Sequence, residues 1–259
     1  MSHFDVIVAG GSISGLMAAR EAARAGASVA VLEEDAEIGT PEHCGGLVSM
    51  EGMKNLGIVP DASAIENNRI KRAMILSPSN GFELSAEKQK VVVLDRRALD
   101  KQVALQAQRA GADIRVKCSV RSFSQEEGKQ YTVKTSEGDF TSDYFVDARG
   151  VASIIGKSRD GVLSSAQYEV FAPWIERDAI EVAFDSEKYP GFFAWVIPTG
   201  DGRGKVGVAG KGINAASALK SYMDAKGPHS VVRKVYAPIW VMGPIDNFVS
   251  GRTVIVGDA

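Results

Sequence analysis

Three groups of residues in this chain have types and spacings that suggest chemistry. The first is Gly10-Gly11-Ser12-Ile13-Ser14-Gly15, a G-x-G-x-x-G turn with serine in the middle glycine position. Such a turn lets a pyrophosphate approach backbone N–H groups and seats a helix on the preceding strand, and the helix start is itself an anion site. Serine is the smallest replacement that keeps a hydrogen-bonding group there. Glu33 follows Gly15 by eighteen residues, where a ribose hydroxyl needs an acceptor. Glu34 comes next and no arginine or lysine is nearby, so a 2′-phosphate would be repelled and NADP is disfavoured. The second group is Pro41-Glu42-His43-Cys44-Gly45-Gly46-Leu47. Its glycines allow a backbone pressed against a planar ligand, or Cys44 is simply a small buried thiol. His43 has no second ligand at metal spacing, and nothing places a base beside Cys44 or the three histidines, so neither a metal site nor a nucleophile is expected. The third group is aromatic: Tyr189, Phe193 and Trp195, with Pro198 after them. These residues either floor an elongated apolar pocket or fill a core.

The elements that must position these groups follow from periodicity. Val6 to Ala9 reads as a strand buried on both faces. A helix with small residues at Ala18, Ala22 and Ala25 follows, ended by Gly26, and Ser28 to Glu33 is a second strand. Residues 50–68 begin as helix and become irregular. Ile70 to Leu76, Phe82 to Leu84 and Val91 to Leu94 read as strands of another sheet. Asp95-Arg96 opens a helix with Leu99, Val103 and Ala107 on one face, and a strand containing Ile114 and Val116 follows. Residues 120–140 form a polar meander with turns at 126–129 and 136–139, and Tyr144 to Gly150 is a buried strand ending at a glycine. Aromatic and β-branched residues then dominate 167–210, a helix runs from Ala215 to Ala225, and Gly251 to Asp258 returns to a buried strand. The fold class is α/β (α+β overall): a Rossmann-like domain from 1–69, 95–165 and 245–259, and an inserted antiparallel β-sheet domain from 70–94 and 166–244.

Bulk properties narrow the function classes. In 259 residues the net charge is −2 and 24% are charged, with no long basic cluster, so nucleic acid is not an expected partner. Arg69 to Arg72 reads as a solvated strand edge. Two cysteines far apart, Cys44 and Cys118, indicate neither a disulfide framework nor a zinc site, which fits a reducing cytoplasm. No charged leader with an apolar stretch precedes the first strand, and no eighteen-residue apolar run occurs, so a soluble protein able to touch a membrane surface is expected.

With these motifs the chain resembles the geranylgeranyl reductases, flavoproteins of the p-hydroxybenzoate hydroxylase fold. The resemblance spans nearly the whole chain. It rests on Gly10 to Gly15, Pro41 to Gly46, Asp95-Arg96 with Leu99-Asp100, Asp147-Ala-Arg-Gly150, Gly191-Phe-Phe-Ala-Trp-Val-Ile-Pro198 with Gly200-Asp-Gly202, and Gly257-Asp258. Ile13-Ser14 stands where family members usually carry alanine or proline-alanine, and Ile197 where they carry phenylalanine. The resemblance implies FAD as cofactor: Gly10, Ser12, Ser14, Gly15 and Glu33 at its ADP half, Arg96 near the phosphate and ribityl region, Val120 at adenine, Asp258 at a ribityl hydroxyl, and Cys44, Gly45, Gly46 and Leu47 lining the flavin. It implies a prenyl lipid substrate on Tyr189, Phe193, Trp195 and Pro198, and reduction of a carbon–carbon double bond with electrons from NAD(P)H or ferredoxin. A cytoplasmic location with peripheral contact at the inner face of the membrane goes with it. The aromatic-x-Trp-x-Ile-Pro stretch also resembles flavin-dependent halogenases, so a monooxygenase or halogenase is the alternative, as is an inactive fragment. In the resembled family a loop and helix follow the final Gly-Asp, so a chain ending at Ala259 is expected to be part of a longer protein and, alone, a poor FAD binder.

Overall fold

The computed structural model describes residues 1–126, 130–155, 160–243 and 246–258. Along the chain the elements are β1 (Ser2–Ala9), α1 (Ile13–Arg24), β2 (Val29–Leu32), β3 (Leu47–Ser49), α2 (Met50–Asn55), β4 (Ile65–Asn67), β5 (Arg72–Leu76), β6 (Gly81–Ser85), β7 (Val91–Leu94), α3 (Arg96–Arg109), β8 (Asp113–Arg115), β9 (Val120–Gln125), β10 (Tyr131–Thr135), β11 (Gly138–Asp147), α4 (Val151–Ile155), β12 (Val162–Phe171), β13 (Ala179–Ala183), β14 (Ala194–Gly200), β15 (Arg203–Gly210), α5 (Ala215–Lys226), β16 (Ser230–Trp240), β17 (Val249–Ser250) and β18 (Thr253–Ile255). They fall into two compact units, residues 1–41, 97–160 and 242–259, and residues 42–96 and 161–241.

The first unit is Rossmann-like. Its sheet runs β17-β18-β11-β1-β2-β8, with β1 parallel to both β2 and β11 and β18 parallel to β11. Ile7, Val8 and Ala9 are fully buried, as a central parallel strand covered on both faces requires. The antiparallel meander β9-β10-β11 closes over a cluster of Ile7, Leu32, Tyr131, Val133 and Phe145. The expected turn at 126–129 lies largely outside the described residues. The final strand β18 is half-buried and flanked by the two-residue β17, so it is not the fully buried strand its composition suggested.

The second unit is built on a seven-stranded sheet, β16-β12-β15-β14-β13-β5-β6. All pairings are antiparallel except β13 with β5, which is parallel. On one face, α5 covers Ala166, Tyr168, Val196, Val206 and Val208 with Leu219 and Met223. Two sequence expectations change here. Val91–Leu94 joins β3 and β4 in a separate three-stranded sheet, because Val92 and Val93 pair with Val48 and Leu47 rather than with β5 or β6. For the same reason residues 42–69 belong with the β-sheet unit and not with the Rossmann-like one. Sequence periodicity identifies strands, but not which sheet a three-residue strand will join.

Candidate functional site

In the first unit the glycine turn is built so that side chains cannot replace its hydrogens. Gly10 has φ of 108°, and a Cβ there would lie 2.4 Å from the Ala148 carbonyl oxygen. A Cβ on Gly15 would lie 2.1 Å from the Gly10 carbonyl oxygen and 2.9 Å from the Ala148 Cβ. The turn therefore wedges the start of α1 against the end of β11. Ser12 is the N-cap residue of α1 and makes no side-chain cap bond; its Oγ lies 3.3 Å from Ser14 Oγ. Glu33, just past β2, accepts the Gly11 N–H on Oε2 at 2.6 Å and the Asp35 N–H on Oε1 at 2.9 Å. Each carboxylate oxygen has a second lone pair, so Glu33 can fix the turn and still accept a hydroxyl. Gly257 meets this corner: a Cβ on it would lie 2.5 Å from Ser14 Oγ, which brings Asp258 beside the glycine turn. Val120 is half-buried at the start of β9, packed on the core of this unit. A backbone cradle without Cβ atoms, a helix start and a carboxylate below it fit a dinucleotide such as FAD.

Asp147 stands at the end of β11, within the stretch from Tyr144 to Gly150 expected as a buried strand. It is 3% exposed, pairs with Arg149 Nη2 at 2.7 Å and accepts the Ser153 hydroxyl at 2.7 Å. Burial opposes its ionisation, but Arg149 and Ser153 outweigh that and hold its carboxyl below the usual aspartate value. This pair stabilises the unit above the ordinary aspartate range, and the contribution is lost as pH falls through the lowered folded value. The structure predicts that Asp147→Asn flattens the acid limb of the unfolding curve measured against pH.

In the second unit the Cys44 loop is held at each residue. Leu94 N–H donates to the Gly46 carbonyl, and Gly46, with φ of 80°, would place a Cβ 2.2 Å from the Leu94 carbonyl oxygen. Cys44 is exposed; its Sγ accepts the Gly46 N–H at 3.4 Å and its carbonyl accepts Gln167 Nε2–H at 3.3 Å. A Cβ on Gly45 would lie 2.5 Å from Ile197 Cδ1. Leu47 starts β3, half-buried. Arg96 opens α3 and its N–H donates to Glu42 Oε1 at 3.3 Å.

Trp195 on β14 is 9% exposed, and its Nε1–H donates to Gln167 Oε1 at 3.0 Å. Its ring lies on Gly207, where a Cβ would sit 2.2 Å from Cζ2. Gln167 thus joins the indole to the Cys44 carbonyl. Phe193 stacks on Phe192 at 4.1 Å and meets Trp195 at 6.1 Å. The structure does not bring the whole aromatic group together. Tyr189 precedes β14 and is buried in the cluster under α5, edge-on to Tyr222 at 6.2 Å. Pro198 is buried on β14 with its carbonyl accepting Asn67 Nδ2–H at 2.9 Å, and strand alternation turns its ring to the face opposite Trp195. Sequence reasoning passed over Gln167, Gly207 and the Glu42–Lys205 ion pair; a lysine inside the run Lys205-Val-Gly-Val-Ala-Gly210 was the available signal. A cavity of about 360 Å³ lined by Met50, Arg69, Lys71 and Lys90 holds none of these residues.

A family model described as an FAD binding domain matches residues 3–235. The chain is 32% identical to digeranylgeranylglycerophospholipid reductase 1 of Methanopyrus kandleri over 99% of its own length and 73% of that protein. It belongs to the geranylgeranyl reductase family of FAD-binding proteins. A second relative, digeranylgeranylglycerophospholipid reductase 2 of Methanothermobacter thermautotrophicus, is 31% identical over 99% of this chain and 71% of that one. The crystal structure of a geranylgeranyl bacteriochlorophyll reductase-like protein from Thermoplasma acidophilum superposes on all of this chain and 71% of that one, with TM-score 0.90 and 27% identity. A flavin-dependent brominase shares the fold at TM-score 0.74 and 17% identity. The geranylgeranyl reductase family thus accounts for the glycine turn, and FAD is its cofactor. Among the described residues no helix is long and apolar enough to cross a membrane.

Proposed function

We propose that this protein is an FAD-dependent oxidoreductase that saturates isolated carbon–carbon double bonds in the prenyl chain of a lipid of the geranylgeranyl type. The observation that supports this reading most is the Trp195–Gln167–Cys44 connection, which ties an apolar aromatic surface to the loop that would line a flavin. An unactivated alkene develops no oxyanion, so the chain's contribution is position and the exclusion of water. Gly10, Ser12, Ser14, Gly15, Glu33, Val120 and Asp258 would hold the ADP and ribityl parts of the cofactor, with Arg96 at the phosphate and ribityl region. Cys44, Gly45, Gly46 and Leu47 would line the flavin ring. The chemistry that the bound cofactor supplies is hydride transfer. Trp195 and Phe193 would orient the chain, and the Gln167 side chain would keep the indole and the Cys44 carbonyl in fixed relation. Electrons would come from NAD(P)H or a ferredoxin, and the lipid would be met at the inner membrane surface.

Trp195→Ala tests the assignment. Turnover on geranylgeranyl chains should fall by more than the flavin content of the purified protein, because the indole makes a pocket wall and no cofactor contact. A variant that loses its flavin together with about 3 kcal/mol or more of stability would make Trp195 a core residue and end its role in the pocket.

A further inference from the structure

We infer that the prenyl chain lies across the strands of the second unit, along a lane from Trp195 through Val182 and Ile75 to Phe82, and that Ile75 and Phe82 set the chain length accepted. The inference rests on the prenyl reading above. These four residues are direct cross-strand partners: Trp195 pairs with Val182, Val182 with Ile75, and Ile75 with Phe82. Paired residues share a face, here the one opposite α5. The neighbouring row, Ile180, Ala73 and Leu84, is apolar as well. Phe184 lies beside the first row, its ring edge-on to Phe193 at 5.5 Å.

No polar or charged side chain falls on this face of β13, β5 and β6. Their charged residues Glu181, Arg72 and Glu83 alternate to the other side, and Arg72 is bonded there to Glu83 at 3.2 Å. Edge strands ordinarily carry charge on a solvated face, yet β6 is an edge that leaves Phe82 57% and Leu84 50% exposed. An exposed apolar face of this kind fits an apolar occupant. Its continuity with Trp195 identifies that occupant as the substrate chain: three strand spacings give a lane of roughly 14 Å, suited to several isoprene units in line and longer than a compact aromatic substrate needs.

The test is equilibrium dialysis of the purified, FAD-loaded protein against geraniol and geranylgeraniol, with Ile75→Asp and the surface variant Phe82→Asp beside the parent. The parent should bind geranylgeraniol about tenfold or more tightly than geraniol, because each added buried methylene strengthens binding. Both variants should lose most of that preference while keeping the geraniol affinity and flavin content of the parent. Because Phe82 is exposed, its variant remains interpretable if Ile75→Asp fails to fold. A full preference in Phe82→Asp would overturn the lane while leaving the prenyl reading intact. An FAD-loaded parent that binds neither alcohol would overturn the prenyl reading itself. Variants that change only the sedimentation coefficient would make the face a contact between copies of the chain and likewise overturn the lane.

Discussion

Replacing Gly15 with alanine should abolish flavin binding by this protein. The added Cβ would lie 2.1 Å from the Gly10 carbonyl oxygen and 2.9 Å from the Ala148 Cβ. Neither neighbour is the end of a flexible side chain. Relief would require α1 to lift from β1, or the turn to leave β11, and either movement withdraws the backbone N–H groups from a pyrophosphate. Overpacking of this kind costs about 1–3 kcal/mol or more. The effect on flavin content should exceed the effect on stability, since the collision sits in the cradle itself. Gly52→Ala is the control, because it belongs to the second unit and a Cβ there meets only Ser49, with its Cβ at 3.7 Å and its Oγ at 3.9 Å. Flavin absorbance per protein after reconstitution reads both variants. Parent-like flavin content in Gly15→Ala would remove the glycine turn from the cofactor site.

Lys205→Ala should produce the largest loss of stability. Lys205 is 1% exposed and pairs with Glu42 Oε1 at 2.7 Å and Glu66 Oε2 at 3.1 Å. Arg233 completes the group, donating to the Glu42 carbonyl at 2.6 Å and to Glu169 at 2.8 Å. Removing one partner of a buried pair typically costs about 3–5 kcal/mol, because the other charge stays buried. Glu42 lies two residues before Cys44, so the loop should loosen with it. The pH dependence carries the sign of each shift. Burial alone would lower the Lys205 value, but Glu42 and Glu66 outweigh it and hold it above its ordinary 10.5. Its stabilisation is therefore complete below pH 10.5 and is lost as pH rises through the raised folded value. Burial raises the Glu66 carboxyl above its ordinary 4.5, against the pull of Lys205. The protonated form is favoured on folding, so that contribution is present at acid pH and lost as pH rises through the raised value. The gap between parent and variant should thus be widest near neutrality and shrink toward both acid, where Glu66 takes up a proton, and strong alkali, where Lys205 loses its own. Thermal unfolding across pH measures it. A pH-independent gap below about 1 kcal/mol would mean that water or another group compensates the two acids. The paired change Glu42→Gln with Lys205→Met should cost less than Lys205→Ala alone.

The Rossmann-like unit was legible because its signals are local. A four-residue apolar run, a glycine turn, a small-residue helix and an acid follow one another within thirty residues, and each is found where expected. Cys44 was placed in a constrained loop for the right reason, since Gly46 does have positive φ against a neighbouring carbonyl. What failed depended on distant partners. Tyr189 looked like a companion of Trp195 by proximity in sequence, but it falls outside β14 and fills the core under α5. Pro198 is three residues from Trp195, and an odd spacing on a strand puts the two on opposite faces. The Lys205 pair joins residues 163 positions apart, and no period or motif announces such a contact. The lane from Trp195 to Phe82 is likewise a property of register, which local sequence specifies only weakly.

The most direct measurement takes the FAD-loaded protein, reduces its flavin under nitrogen, adds a geranylgeranyl lipid, and follows flavin absorbance together with the mass of the lipid. The account predicts flavin reoxidation in proportion to lipid, with product gaining two hydrogens per double bond and no oxygen. A flavin that stays reduced until air is admitted, with the product then hydroxylated or halogenated, would contradict it and assign the fold to oxygen chemistry.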